Sequence, residues 1–408
     1  MGKFDRFLDD IEEYRRTTPP GGGIQAGGGL VRGLPEGSWV RDGVYMMEFR
    51  HRIGELYGTA PLDSPDEMEV MRHFGATGGT VFLDLETTGL SGGTGTYSFL
   101  CGIGRVFGDE FRVMEFFLEG PAREASFLEA IGEAIPPGSC LVTYNGMTFD
   151  IPMLRKRHVL ARSAPAWDNM PHIDLLHHAR RLYRGYLESC SLGCVERHVL
   201  GVRRGGADIP GSMIPALYAQ YLRSGDAAPL GGVFYHNELD IVSLAALYCR
   251  VARALEGRSE DGRELLRAGE IWRSKGHGER AAALWNMACQ NAASEVEARL
   301  RRARASKSDA DFRGAREDLM AVLGRVETGM GKLPAGMTMF MLREELAKLE
   351  EHRFRSPDAA LEHTKAALLW VRANRYLLGR AGLGMYGSMM RRYERLMKKI
   401  SRIGDGVF

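Results

Sequence analysis

"VFLDLETTGLSGGTGTYSFLCGIG", residues 81–104, is an apolar run that carries two acids and then gives way to glycines and threonines. Two readings compete: a glycine-rich loop that cradles phosphate, or a strand whose acids carry the chemistry. A Walker loop needs G-x-x-x-x-G-K-[ST], and no lysine occurs from Gly79 to Phe117. A dinucleotide loop should open a helix, whereas "GTGTYSFLCGIG" continues as strand. The phosphate-loop reading fails on both counts. In a strand, alternate side chains share a face, so Asp84 and Glu86 point one way and Leu83 and Leu85 face the core. Two neighbouring carboxylates on an otherwise apolar strand repel each other, and burying them unpaired is costly. A hard divalent cation such as Mg²⁺ or Mn²⁺, which takes oxygen ligands, resolves that cost.

Working outward, "YSFLCGIGRVF" and "FRVMEFFL" read as two further strands, a hairpin closed at Gly108-Asp109. "AREASFLEAIGEAI" reads as a helix, "SCLVTYN" as a fourth strand and "FDIPMLRKRHVL" as a second helix. Then come "HIDLLHHARRLYRGYL", "SLGCVERHVLG" and a long helix "NELDIVSLAALYCRVARALEG". Hairpin strands followed by strand–helix alternation imply an α/β domain with a mixed sheet covered by helices. Two more acids fall at the ends of these elements. Asp150 heads the helix after "TYNGMTFD", where ordinary N-capping is the plain alternative. Asp240 lies near the start of the long helix, with Tyr235 and His236 five and four residues before it. Four carboxylates and a general-base candidate suit two-metal hydrolysis of a phosphodiester.

These segments resemble the three exonuclease motifs of the DEDD superfamily, the DnaQ-like 3′–5′ exonucleases on a ribonuclease-H-like fold: "DLETTG", "NGMTFD" and the acid of "YHNELD". The longer run "FLDLETTGLSGGTGTYSFL", with "YNGMTFDIP", "SLGCVERHVLG" and "YHNELDIVSL", is similar to the YprB-type predicted bacterial exonucleases, some with tetratricopeptide-like C-termini. The resemblance covers about residues 80–255 and implies that Asp84, Glu86, Asp150 and Asp240 hold two Mg²⁺ or Mn²⁺ ions. Its substrate would be single-stranded DNA or RNA. In that superfamily the base is a histidine five residues before the last aspartate or a tyrosine four before it. Here the two types are interchanged, Tyr235 at the first position and His236 at the second. His236 is favoured, because imidazole accepts a proton near neutral pH and a phenol does not. Thr87, Thr88, Gly89 and Asn145 are expected near the terminal nucleotide, and Tyr144 either stacks on a base or fills the core. Asp174 is either a helix cap or a support for the acids. Arg155, Lys156, Arg157, Arg180, Arg181 and Arg184 are candidates for contacts to the nucleic-acid backbone. Two other readings stay open: a nuclease-like scaffold that only binds nucleic acid, and an endonuclease.

The 408 residues allow two or three domains. Net charge is only +2, so a polyanion must be met by local basic clusters. Four exist: "LRKRH" at 154–158, "ARRLYR" at 179–184, "RLRRAR" at 299–304 and "RRYERLMKK" at 391–399. The six scattered cysteines read as reduced core thiols, with no second pair to complete a zinc site. No charged-then-apolar leader is seen, and no run reaches the roughly 18 apolar residues of a membrane span, so a cytoplasmic location is expected. Residues 1–18 read as a polar helix, and "PPGGGIQAGGGLVRGLPEG", with eight glycines in nineteen residues, as a flexible linker. The pattern from Ser38 to His73 gives no clear reading. Three regions are expected: 1–78 with the linker, 79–256 as the ribonuclease-H-like domain, and 257–408 as an all-α domain. In the last, Leu265, Gly269, Trp272, Gly276, Ala281, Trp285 and Ala288 fall at the offsets of a tetratricopeptide helix pair, a candidate surface for a protein partner.

Overall fold

The computed structural model describes residues 31–89, 95–206 and 208–404. The expected helix in 1–18 and most of the linker lie outside them. The chain divides into two compact units, with the boundary between Glu256 and Gly257.

The first unit is built on a seven-stranded sheet. Its strands are β1 (Ser38–Arg41), β2 (Val44–Arg52), β5 (Thr80–Thr87), β6 (Ser98–Phe107), β7 (Glu110–Leu118), β8 (Cys140–Thr143) and β9 (His172–Asp174). Two short strands, β3 (Leu56–Tyr57) and β4 (Ala60–Pro61), pair separately. The order is β1-β2-β7-β6-β5-β8-β9, antiparallel from β1 to β5 and parallel from β5 to β9. This is a mixed, ribonuclease-H-like sheet flanked by helices. The expected hairpin is there: Phe107 pairs with Glu110 across a two-residue turn in which Gly108 takes φ +63°, open to a residue without a Cβ.

Two features differ from the sequence reading. Residues 38–52, placed outside the ribonuclease-H-like domain, supply β1 and β2 of the same sheet, because β2 pairs along its whole length with β7. Residues 172–174, read with the helix that follows them, are the edge strand β9.

Alternation along β5 sorts its side chains. Val81, Leu83 and Leu85 enter an apolar core with Phe99, Ile103, Phe117 and Ile131 of helix α1 (Glu124–Ala134). Phe82, Asp84 and Glu86 take the other face, which helix α6 (Gly231–Leu255) covers. Helices α2 (Asp150–Leu160), α3 (Leu175–Tyr183), α4 (Leu192–Val195, continuing into a wide turn over Glu196–Leu200) and α5 (Ile214–Ser224) complete the unit. Helix α6 lies unusually close to β6. A Cβ on Gly102 would stand 2.2 Å from Asn237 Oδ1, and one on Gly104 2.5 Å from Ile241. The glycines after "YSFLC" are there to admit this helix.

Among the described residues the second unit is all-α: α7 (Gly262–Ser274), α8 (Gly278–Ala288), α9 (Glu295–Ser308), α10 (Phe312–Glu327), α11 (Met339–His352), α12 (Pro357–Ala373) and α13 (Arg375–Gly404), the last broken at Gly379, whose backbone is not helical. The helices pack in pairs along the chain. At the first pair the small residue works as expected: a Cβ on Gly269 would fall 2.4 Å from Trp285 Nε1, which donates to the Leu266 carbonyl at 3.1 Å. All six cysteines are free thiols, four of them buried. Among the described residues no helix is long and apolar enough to cross a membrane.

Candidate active site

The two acids of β5 lie under helix α6. Burial pushes both carboxyls well above the usual carboxylate range. For Asp84, repulsion from Asp240 and Asp150 adds to this; for Glu86, repulsion from Asp84, Asp240 and Asp150 does. The four expected acids are therefore within electrostatic reach of one another. Glu86, His236 and Asp240 each offer a ligand atom, and these atoms lie within 4.8 Å of one another. Asn237 holds Asp84 in place, its Nδ2 donating to Oδ2 at 2.9 Å. On helix α6 the spacing 236, 237, 240 is i, i+1, i+4, so all three can address one side of the strand face.

Asp150 reaches the cluster from the far side of the sheet. It is the first residue of α2 and buried, while Phe149 occupies the capping position and makes no side-chain cap. The capping alternative is thus set aside. Burial raises Asp150 to about 7, with Asp174 and Asp240 contributing repulsion. The loop before it is fixed by Asp174, which plays both roles considered for it. Its carboxylate caps α3 at the Leu176 N–H (3.0 Å) and also accepts the N–H groups of Asn145 (2.8 Å) and Met147 (3.2 Å). Asn145 turns the chain with φ +66°, a conformation that asparagine tolerates better than most residues.

A second layer, which the sequence reading did not pick out, surrounds Asp240 and His236. Arg204 reaches in from the loop after α4. It forks onto Glu196 (Nε to Oε2 2.9 Å, Nη2 to Oε1 2.5 Å) and also donates to Asp240 Oδ1. Burial disfavours the Arg204 cation, but Glu196 and Asp240 outweigh it and raise its pKa. Glu196 is itself buried and accepts from Ser243 Oγ at 2.5 Å, which in turn accepts from the Tyr57 hydroxyl at 2.7 Å. Asp208 lies 2.7 Å from His236 Nδ1, while His236 Nε2 is 3.7 Å from Asp240 Oδ2. Arg204 Nη1 also approaches Nδ1, at 3.2 Å. A nitrogen that carries a proton cannot accept another, and the shorter contact is to an anion, so Nδ1–H donates to Asp208. That leaves the Nε2 lone pair facing the acids. His236 and Asn237 share "YHNELD" with Asp240, a spacing visible in sequence. Arg204 and Asp208 lie in "RRGGAD", which has no period to mark them.

The remaining sequence candidates divide. The Tyr235 hydroxyl lies beside Gly205. Thr87 and Thr88 are buried at the end of β5. The Thr87 hydroxyl donates to the Gly89 carbonyl (3.0 Å), and Thr88 Oγ1 accepts from the Tyr97 N–H (3.2 Å). The Tyr144 hydroxyl donates to the Cys190 carbonyl at 2.6 Å. Asn145 is exposed and accepts from Thr148. Arg157 is no surface cation: it is buried in a two-pronged pair with Glu124. Arg155 pairs with Asp168, while Arg180, Arg181 and Arg184 are exposed on or beside α3. Cys194, Glu188 and His198 form a second group with ligand atoms within 4.8 Å.

Residues 81–252 match the family model of the RNase_H superfamily. Over 184 residues the chain is 39% identical to the uncharacterized protein YprB of Bacillus subtilis (strain 168). That match covers 45% of this chain and 44% of the relative, so the chain spans less than half of that protein's length. The family B DNA polymerase of the hyperthermophilic archaeon Pyrobaculum calidifontis is 13% identical with a TM-score of 0.33, covering 59% of this chain and 34% of that one; a likeness this slight carries no argument. Residues 81–252 are thus a ribonuclease-H-like domain, by sequence match and by strand order alike.

Proposed function

We propose that this domain is a divalent-metal-dependent 3′–5′ exonuclease that hydrolyses single-stranded nucleic acid. The observation that carries the reading is the convergence of Glu86, His236 and Asp240 within 4.8 Å, with Asp84 and Asp150 in electrostatic reach. The donor set fits Mg²⁺ or Mn²⁺. Its oxygens are hard, and acids forced together by the fold lose their mutual repulsion when a cation is shared. Asp84, Glu86, Asp150 and Asp240 would hold the ions, which when bound supply Lewis-acid polarisation of the phosphate and charge at the leaving oxygen. His236 Nε2 takes the proton of the attacking water. Asp208 fixes the tautomer that leaves Nε2 free and steadies the imidazolium that results. Arg204 holds Asp240 in position against Glu196. The bond broken joins phosphorus to the 3′ oxygen of the preceding nucleotide. On this reading Thr87, Thr88, Gly89, Asn145 and Tyr144 would lie at the terminal nucleotide, and the helical unit would be a tetratricopeptide-like appendage.

The test is shortening of 5′-labelled single-stranded DNA and RNA with Mg²⁺ or Mn²⁺. Stepwise loss from the 3′ end is expected with the wild type and none with Asp84→Asn or Asp240→Asn. Undiminished cleavage by both variants would remove the site from the chemistry. A closed single-stranded circle should stay intact, and its cleavage would make the enzyme an endonuclease. The Arg204 cation on Asp240 favours one second reading, a binding scaffold in which a guanidinium takes the place of a metal. On that reading the wild type binds the oligonucleotides and shortens none.

A further inference from the structure

The two units carry opposite charge. Residues 1–256 contain 25 Lys and Arg against 32 Asp and Glu, and residues 257–408 contain 29 against 20. A polyanion is held chiefly by cations at its phosphates. A net-acidic catalytic unit is therefore poorly equipped to hold one alone. The helical unit shows where cations gather. Two of the basic runs seen in the sequence, 299–304 and 391–399, are far apart in the chain, yet Arg304 of the first and Arg392 of the second line one groove of about 690 Å³. Lys307, Lys348 and Arg353 line it as well, over an apolar floor that includes Phe312.

The acids here are outnumbered. Glu345 is shared by Lys307 and Lys348, and Glu351, behind the groove, by Arg392, Arg395 and Lys399. Among the described residues Arg304 and Arg353 pair with no acid. Arg353 lies over the Phe312 ring at 4.1 Å from its centroid, a planar cation on an aromatic face.

We infer that this groove binds the sugar–phosphate backbone of single-stranded nucleic acid, with Arg304 and Arg353 as its principal unpaired cations. The choice of nucleic acid over an acidic protein rests on the nuclease reading of the other unit and on the guanidinium–aromatic pair, which offers a base a flat surface.

The test uses the full-length Asp84→Asn protein in EDTA, with fluorescein-labelled 20-nucleotide oligothymidylate and anisotropy measured across salt concentrations. Replacing Arg304 and Arg353 together by Gln should weaken binding about tenfold and flatten the dependence of log K on log salt by about 1.4, roughly 0.7 per lost phosphate contact. Lys at both positions should restore most of the affinity. Unchanged melting would show that the surface substitutions spare the fold. In the otherwise wild-type enzyme, hydrolysis of thymidine 5′-monophosphate p-nitrophenyl ester, which has one phosphodiester, should be unaffected. Unchanged affinity and salt slope in the Gln variant would overturn the inference. So would a polyglutamate peptide of equal charge that competes as well as unlabelled oligonucleotide, which would mark the groove as a protein site. Binding weakened by the Gln substitutions, together with a wild type that hydrolyses no oligonucleotide, would keep the groove and remove the nuclease reading; hydrolysis by the wild type with binding unaltered by the substitutions would do the reverse.

Discussion

The half-buried His236 and the fully buried Glu115 make opposite demands. The histidine needs one nitrogen proton-bearing and one free, and the 2.7 Å contact from Asp208 sets that division. His236→Ala should therefore lower kcat by about 10²–10⁴, the usual worth of a general base. Asp208→Asn should lower it by about 10–100-fold, as loss of an orienting partner does. Tyr235→Phe should change turnover by no more than about twofold, because His236, not Tyr235, shares a ligand cluster with Glu86 and Asp240 and the Tyr235 hydroxyl lies beside Gly205. A greater loss in Tyr235→Phe than in His236→Ala would reverse the assignment. Glu115 is fully buried on β7, and neither of its oxygens has a hydrogen-bond partner among the described residues. Burial raises its pKa well above the usual range, the nearby Glu238 carboxylate adds to this, and contact with the Glu238 main chain offsets only part. A raised folded pKa means that the folded state keeps a proton the unfolded chain gives up, so stability falls as pH rises above the ordinary carboxylate value. Glu115 thus costs up to about 1.4 kcal/mol per pH unit across that window. In urea denaturation with EDTA, Glu115→Gln should flatten the loss of stability as pH rises above the ordinary carboxylate value. At this scale Asp84 and Glu86 were legible because strand alternation marks them. Arg204, Glu196 and Asp208 were not, since an arginine on an irregular loop shows its target only once the chain is folded.

Helix α6 and the loop before α2 decide whether the acids meet. Directly paired residues share a sheet face, so Asp84, Gly102 and Glu115 form a lateral row across β5, β6 and β7, with Asn237 seated over the glycine. Gly102→Ala must push Asn237 away from Asp84. The expected cost is about 1–3 kcal/mol of stability, as for overpacking, measured by denaturant unfolding, together with weaker metal-dependent turnover. Asp174→Ala removes the cap of α3 and the anchor of the Asn145–Met147 loop at once. It should cost about 1–2 kcal/mol, and it should lower kcat more than a cap substitution elsewhere, because the same loop delivers Asp150. The strands β5 to β7 could be read in advance from their alternation and from the Gly108 turn. β2 could not, because its residues pair with β7 residues 58 to 74 positions further on and no local pattern announces the pairing. β9 is three residues long and runs straight into a helix, too short for any period to register.

At the level of the whole chain, an acidic ribonuclease-H-like unit and a basic helical unit are joined in one polypeptide. The first carries the clustered carboxylates, and the second carries the excess of cations. The fold class of each was legible, one from its mixed strand and helix pattern and the other from the loss of all strand signal after Gly257. The convergence of basic runs near 300 and 392 was not, because it depends on how α9, α11 and α13 pack. The central claim is that the acids of β5, α2 and α6 form one cation site. Mn²⁺ titrated into the wild type and into Asp84→Asn, with free Mn²⁺ followed by electron paramagnetic resonance, tests it most directly. Saturable binding by the wild type that is lost or strongly weakened in Asp84→Asn is the predicted result. A wild type that leaves Mn²⁺ free, or a variant that binds it equally well, would contradict the account.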